Sequence, residues 1–153
     1  MRVVRKILVG LGVLFLVLIA VFSWVAVVGR QFRTEQTPFV KTFMMDLSRH
    51  WNVADVSDRI AGPVLDQVLT PKGQQMFQMF KQLGTLRSEG DVTMDRFNVD
   101  TKGTTGVFEF KGTFDNGEAD VQVTVVKKGG SAWVLGFYLN DIRRRPGESN
   151  VET

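Results

Sequence analysis

The chain contains no cysteine, one histidine and one tyrosine among 153 residues. Without cysteine it forms no disulfide, and it offers no thiol nucleophile and no thiolate ligand for zinc or an iron–sulfur cluster. Its length corresponds to one domain of ordinary size, because about 100 to 200 residues per domain is usual. These absences exclude a multidomain enzyme and cysteine chemistry, and the scarcity of catalytic side chains favours a non-catalytic protein.

Acidic side chains are absent from the first thirty residues, although Arg2, Arg5, Lys6 and Arg30 lie there. The other fifteen basic residues are matched by sixteen acidic ones, so residues 31–153 carry a net charge of −1. The overall charge of +3 therefore reflects a basic terminus and not a basic domain. Nucleic-acid-binding domains carry a clustered positive charge, so we expect no nucleic-acid partner.

A long uncharged stretch runs from Ile7 to Gly29 and reads ILVGLGVLFLVLIAVFSWVAVVG. As a helix it is about 34 Å long, enough for a hydrocarbon layer of about 30 Å. The alternative is a cleaved signal peptide, but its apolar region has only about 7 to 15 residues. The pattern therefore predicts an uncleaved transmembrane helix over 7–29. The residues expected to anchor it at the membrane interface are Trp24, Arg30, Phe32 and Arg33.

The basic residues around this stretch predict its orientation. Three of them lie in the short tail 1–6 and two, Arg30 and Arg33, follow the stretch. Cytoplasmic flanks carry the excess of Lys and Arg, so we expect a cytoplasmic N-terminus. The sequence then predicts a single-pass protein of a bacterial inner membrane with a periplasmic or other extracytoplasmic domain.

Helical periodicity follows a polar linker over 30–36. Thr37 and Pro38 have the residue types of an N-cap and a first helical position. Phe39, Phe43, Leu47 and Trp51 then recur every four residues, which predicts an amphipathic helix facing a core. A short helix is expected over 63–69, and Thr70 and Pro71 predict the start of a third helix that ends at Gly84. The apolar residues of that helix, which are predicted to face the core, are Met76, Phe77, Met79, Phe80 and Leu83.

Beyond Gly84 the apolar residues alternate with a period of two, which is typical of strands. Turn signals divide this part of the chain into four strands with short connections, and short connections make neighbouring strands antiparallel. The sequence thus predicts an α+β domain over 37–142, with helices packed on one side of a curved four-stranded antiparallel sheet. The predicted strands are Glu89–Val99, Gly106–Phe114, Glu118–Lys127 and Ala132–Ile142.

The last predicted strand is apolar on both faces. Simple alternation places Trp133, Leu135, Phe137 and Leu139 on one face. Val134 and Tyr138 then lie on the opposite face. A second apolar face must be covered by a partner or by the rest of the fold, so Val134 and Tyr138 are the predicted interface residues.

Several segments together resemble the nuclear transport factor 2-like (cystatin-like cone) superfamily. These are the helix ending in His50-Trp51, the Thr70-Pro71 helix ending in Leu83-Gly84, the Phe114-Asp115-Asn116-Gly117 turn and the strand SAWVL at 131–135. The resemblance covers about residues 37–142 and implies a cone-shaped domain. Members of the superfamily include isomerases, dehydratases, polyketide cyclases and non-catalytic assembly domains, among them anchored periplasmic components of secretion systems.

In such a cone, a pocket is expected between the first helix and the concave face of the sheet. Asp46 and His50 are four residues apart at the edge of the buried stripe, and a carboxylate one turn from an imidazole can orient it as a general base. The alternative is a helix-edge pair without a catalytic role. Tyr138 is a third candidate, as an oxyanion hydrogen-bond donor of the kind that isomerase members imply, or else a packing residue. One histidine predicts neither a metal site nor a cofactor.

The chain ends in Arg143, Arg144 and Arg145 followed by polar residues, which predicts a disordered tail over 143–153. The alternative is that these arginines bind anionic lipid head groups or an acidic partner. Taken together, the sequence predicts a non-catalytic anchored protein that assembles with itself or with other envelope proteins. The alternative function is a pocket for a lipid or another apolar ligand, with isomerase-like or dehydratase-like chemistry in the cone.

Overall fold

The computed structural model describes residues 2–145, and within the first helix it does not describe the side chains of residues 2–5, 7 and 8. The predicted tail beyond Arg145 therefore lies outside the described residues. Helices come first in the chain and strands follow, so the fold is α+β as predicted. The helical elements are α1 (Arg2–His50), a 3₁₀ helix (Val53–Arg59), α2 (Gly62–Val68) and α3 (Pro71–Lys81). The strands are β1 (Leu86–Glu89), β2 (Thr93–Asp100), β3 (Gly103–Phe114), β4 (Gly117–Lys128) and β5 (Ser131–Arg144).

The chain divides into two compact units, Met1–Glu35 and Gln36–Thr153. The first unit is helical throughout its described part. Its apolar stretch reaches a mean hydropathy of 2.9 over a window of which none is buried. By length and composition, this helix is therefore long and apolar enough to cross a membrane.

The predicted helix start at Thr37 and Pro38 is wrong, because both residues lie inside α1. The polar residues of the predicted linker over 30–36 are helical as well. Gln31 donates a hydrogen bond to the Glu35 carboxylate at 3.0 Å, and the Thr34 hydroxyl donates to the Arg30 carbonyl at 2.9 Å. The side-chain pair between Gln31 and Glu35, four residues apart, supports a helix, and Pro38 removes only one backbone hydrogen bond from it.

The start of α3 is confirmed. The Thr70 hydroxyl accepts a hydrogen bond from the Gly73 N–H at 3.2 Å, and Pro71 is the first helical residue. The predicted end at Gly84 is too late, because α3 ends at Lys81 with Gln82 as its C-cap, and Gly84, with φ of +79°, lies beyond it in the left-handed conformation. Gly73 is required for close packing, because a Cβ at this position would collide with the backbone carbonyl of Val68 at the end of α2. The α2–α3 hairpin is therefore compact.

The sheet has five strands and not the four predicted. β1 and β2 pair one after the other along the same edge of β3, and β4 and β5 follow on its other side, all antiparallel. The predicted strand from Glu89 to Val99 is interrupted over 90–92. Gly90 donates its N–H to the Lys111 carbonyl at 2.8 Å, and the segment holds one residue more than the facing part of β3. Alternation of residue types does not reveal such an insertion.

The core lies between the inner face of the sheet and the helical elements of the same unit. Val40, Phe43, Met44 and Leu47 of α1 have no exposed surface. The Phe43 ring meets the Phe137 ring edge to face with centroids 5.9 Å apart, so aromatic side chains fill the space between α1 and β5. The buried residues that the strands contribute are Leu86, Phe108, Phe110, Phe114, Ala119, Val121, Val123, Val125, Val134, Phe137 and Leu139.

Trp51 ends α1 in the left-handed conformation, with φ of +49°. Its indole N–H donates to the Gly84 carbonyl at 2.8 Å, and its ring packs against the rings of Phe77, Phe80 and Phe114. A bulky residue with positive φ is strained and persists only where its surroundings hold it. The indole therefore joins α1, α3 and β3 at one end of the core.

Asp115, in the β3–β4 turn, joins that turn to the segment after α3. Its carboxylate accepts the Thr85 N–H at 2.8 Å and a hydrogen bond from the Arg87 guanidinium. The backbone hydrogen bond from Thr85, followed by the one from Arg87, holds the pKa of Asp115 below its usual value of 3.8. This carboxylate therefore stays ionised under ordinary conditions.

Candidate functional site

The two candidate acid–base residues on α1 have different partners and do not form the expected pair. Asp46 accepts from the Arg59 guanidinium at 2.9 Å, with Arg49 at 3.9 Å. The Nδ1 atom of His50 lies 2.8 Å from the Asp55 carboxylate. Arg59 and Asp55 both belong to the 3₁₀ helix that follows α1, an element that is not predicted from the sequence. A general base at His50 oriented by Asp46 is therefore not what the structure contains.

His50 also lies outside the interior of the sheet. Its side chain is 66% exposed, and it borders a shallow surface cavity of about 410 Å³ together with Trp51, Gln74 and Lys81. An exposed imidazole paired with an exposed carboxylate contributes at most a fraction of a kcal/mol. The contact is a surface hydrogen-bonded pair at a helix end, and its partner is Asp55 rather than the Asp46 of either interpretation given by the sequence.

The predicted interface pair is wrong for Val134, which is completely buried, whereas Tyr138 is 54% exposed. Thr124 pairs with Gly136 and Val125 pairs with Val134, so Leu135 is an extra residue in β5. Such a bulge shifts the alternation by one residue. Val134, Phe137 and Leu139 consequently face the core together, while Leu135 and Tyr138 are exposed.

The bulge leaves an apolar area on the outer face of the sheet, which we call the outer sheet patch: Val107, Val126, Trp133 and Tyr138. The register places Val126 opposite Trp133, Val107 in the next row of the same face, and Tyr138 in the row after that, beside Gln122. Further along this face the rows become polar, with Lys111, Asp120 and Asn140 side by side. The outer face therefore combines an apolar end and a polar end.

A groove of about 480 Å³ lies between the α2–α3 hairpin and strand β5. Its size falls in the range of about 300 to 1,000 Å³ that small-molecule sites occupy. It is lined mainly by apolar side chains, and Lys72 is its one charged lining residue. The lining residues are Val64, Gln67, Val68, Thr70, Lys72, Gly73, Met76, Phe77, Leu135, Gly136, Phe137 and Tyr138.

The groove is not among the predicted sites, although the sequence contains a signal for it. Met76 is predicted in the core, yet it is 37% exposed. Leu69 and Met79 are also exposed, at 56% and 51%. Two short helices joined at Thr70 and Pro71 form a tight hairpin, and a hairpin so short cannot bury all of its apolar residues. Met79 was likewise expected in the core, whereas Phe77 and Phe80 are buried as predicted.

The arginines assigned to a disordered tail are partly structured. Arg143 and Arg144 belong to β5, opposite Glu118 and Gly117, and the Arg145 N–H donates to the Asn116 carbonyl at 2.9 Å. Arg143 also pairs with Asp141, which lowers the pKa of Asp141 and raises that of Arg143 through the hydrogen bond between them. Acidic neighbours thus already compensate part of the positive charge assigned to lipid binding.

The predicted membrane anchors, Trp24, Arg30, Phe32 and Arg33, all lie on α1. Trp24 is 62% exposed, whereas Phe32 is only 4% exposed, so Phe32 is not free to anchor the helix at a membrane interface as predicted. Within residues 2–145, no three side chains of the metal-ligating types converge on one point.

No family model, no curated protein and no solved structure matches this chain. The geometry of the outer sheet patch and of the groove is therefore the basis for a functional assignment.

Proposed function

We propose that the chain is a non-catalytic, single-pass membrane protein whose second unit binds other proteins of the cell envelope, or a second copy of itself, through the outer sheet patch. The observation that carries this proposal is the apolar end of the outer sheet face, where Tyr138 is exposed and Val107, Val126 and Trp133 are half-buried. Large exposed apolar patches mark interaction sites in soluble domains, and Trp and Tyr are enriched where proteins bind one another.

The anchoring and its orientation are part of the same proposal. The apolar stretch of α1 supports one membrane span, and the basic tail before it supports a cytoplasmic N-terminus. The second unit would then lie outside the cytoplasm, in the periplasm if the membrane is a bacterial inner membrane. The resemblance to the nuclear transport factor 2-like superfamily agrees with the order of helices and strands, and we propose the cone shape on that basis only.

The test uses the full-length protein, extracted gently from its own membrane, and measures its native mass. We expect a particle larger than one chain for the unaltered protein. Tyr138→Lys and Val126→Lys each place a charge in the outer sheet patch, and we expect both to reduce the particle to a single chain. Asn140→Lys is the matched control, because Asn140 lies on the polar end of the same face and its substitution should leave the mass unchanged.

Two results would contradict the proposal. One is a single chain for the unaltered protein, and the other is an unchanged mass for both patch variants while the fold is retained. Circular dichroism of each variant distinguishes loss of assembly from loss of folding.

The alternative function, a pocket for a lipid or another apolar molecule, is favoured by one observation, the groove beside β5. Its proposed location between α1 and the sheet with Asp46 and His50 at the mouth is not supported, since Phe43 and Phe137 occupy that space. Isomerase-like or dehydratase-like chemistry also lacks its acid–base pair. A ligand site would instead use the groove and its one charged lining residue, Lys72.

A further inference from the structure

The groove combines a mainly apolar lining with one charged residue. Gly73 permits the first turn of α3 to lie against the end of α2, and Val64, Val68 and Met76 of these two helices line the groove. Phe77 and Phe137 close the inner side, with their rings in edge-to-face contact and centroids 5.7 Å apart. The result is a mainly apolar surface between a helical hairpin and a strand.

Lys72 is the one charged residue among those that line the groove. No carboxylate of residues 2–145 lies within ion-pair distance of its ammonium group, in contrast to Lys41, which pairs with Glu89 at 3.1 Å. Thr70 and Gln67 flank it, and the Thr70 hydroxyl is already engaged as a donor to the Gln67 carbonyl at 2.7 Å. The groove thus offers a single uncompensated positive charge beside an apolar channel.

We propose that this groove binds a long-chain fatty acid, with the acyl chain along the apolar lining and the carboxylate at Lys72. Charge complementarity selects the head group: one ammonium neutralises one monoanionic carboxylate, whereas phosphate esters and their dianions are usually held by several donors. The lining selects the tail, because an acyl chain buries its methylenes against apolar side chains and each buried methylene strengthens binding by about fourfold. If α1 is anchored as proposed, the protein also resides where acyl chains are abundant.

The groove and the outer sheet patch share Tyr138 but no other residue, so this inference goes beyond the proposed partner binding. Labelling of the groove and native mass are separate measurements. A fatty acid in the groove of a single chain would support the inference while contradicting the assembly proposal. A large particle without label in the groove would support the assembly proposal and contradict this inference.

The experiment places the full-length protein in phosphatidylcholine nanodiscs and adds a 16-carbon fatty acid that carries a photoreactive diazirine near its methyl end. A matched 16-carbon alcohol with the same diazirine serves as the uncharged probe. After illumination, mass spectrometry locates the label on the chain. We expect label on peptides that contain Met76 or Leu135 to Tyr138, in addition to any label on the apolar stretch of α1 from probe dissolved in the bilayer.

Two variants with matched controls test the two halves of the site. Lys72→Gln should reduce groove labelling by the acid about fivefold, the size expected for one exposed charge pair, and leave labelling by the alcohol unchanged. Lys81→Gln, at the other end of α3 and outside the groove, is its control. Met76→Trp should fill the groove and abolish labelling by both probes, whereas Met79→Trp, exposed on the same helix but outside the groove, should not.

Label confined to the apolar stretch of α1 would overturn the proposal, as would groove labelling that is indifferent to both Lys72→Gln and Met76→Trp. Equal loss of acid and alcohol labelling in Lys72→Gln would refute the carboxylate contact, because a lost charge pair affects the acid alone. A folding defect in Met76→Trp leaves the Lys72→Gln comparison intact, since Lys72 is exposed and its substitution disturbs no packing.

Discussion

Replacing Trp51 by glycine and by alanine tests the most strained position in the core. The indole is 6% exposed, donates to the Gly84 carbonyl and packs against three phenylalanine rings. Truncation of a buried tryptophan costs about 3 to 5 kcal/mol, of which about 1 kcal/mol is the hydrogen bond. We therefore expect Trp51→Ala to lower the free energy of unfolding by about 3 to 5 kcal/mol, a large part of the total of a typical domain.

The glycine variant should be more stable than the alanine variant by about 1 kcal/mol. Both lose the indole, but with φ of +49° at this position alanine keeps the left-handed strain and glycine does not. This order is the reverse of that in a helix interior, where alanine is better than glycine by about 1 kcal/mol. Exposed Gln78, inside α3, provides the control, and there we expect Gln78→Ala to be more stable than Gln78→Gly.

The assay is urea unfolding of the full-length protein in nanodiscs, followed by pulse proteolysis to count the folded fraction. The reasoning fails if Trp51→Ala is as stable as Trp51→Gly while the Gln78 pair shows the ordinary order. That outcome would mean that the backbone at residue 51 is helical and not left-handed. A loss below about 1 kcal/mol in both variants would show that the indole does not join the three elements.

Two further predictions concern the link between Gly84 and Asp115. Gly84→Ala should destabilise the domain by about 2 kcal/mol or more in the same assay, because φ is +79° and a new Cβ would lie 2.7 Å from the Asp115 Cβ atom; a neutral effect would contradict this contact. The lowered pKa of Asp115 predicts a contribution to stability that is fully present above the usual value of 3.8 and is lost as the pH falls through the lower folded pKa. Asp115→Asn should therefore reduce the loss of stability below pH 4, as measured by thermal unfolding, and an identical pH dependence in both proteins would argue against the Thr85 hydrogen bond.

Local sequence patterns predicted those parts of the fold that depend only on residues close together in the sequence. The Thr70 cap and the helix start at Pro71 each follow from one residue type in one local conformation, and both are confirmed. The order of helices and then strands followed from the change of apolar period near Gly84. These features need no knowledge of distant contacts, and the sequence was sufficient for them.

The candidate acid–base site could not be predicted because its geometry depends on an element without periodicity. The 3₁₀ helix is seven residues long, too short to give a repeating apolar pattern. Its Asp55 and Arg59 are nevertheless the residues that pair with His50 and Asp46. Helical spacing alone favoured a pair between Asp46 and His50, whereas the partners that the structure shows, Arg59 and Asp55, lie outside that helix.

The continuous helix through Pro38 has a related explanation. A proline after a threonine is typical of a helix start, but it is also tolerated inside a helix at the loss of one hydrogen bond and about 3 kcal/mol. The buried side chains of Val40, Phe43 and Leu47 hold the following turns against the sheet and offset that loss. Whether a proline begins a helix or lies within it depends on packing that the local sequence does not contain.

The bulge at Leu135 determines which residues of β5 are buried, and deletions along the strand test it. Deletion of Leu135 removes the extra residue and leaves Val134, Phe137 and Leu139 on the inner face, so we expect a loss of about 1 to 2 kcal/mol at most. Deletion of Tyr138 makes Phe137 and Leu139 adjacent along the strand. One of these two side chains must then leave the core, whichever register β5 adopts with β4. We expect that deletion to cost about 3 kcal/mol or more, measured by urea unfolding and pulse proteolysis of the full-length protein. Equal losses in the two deletions would mean that β5 alternates without a bulge, which would return Val134 to the outer face and remove the structural basis of the outer sheet patch.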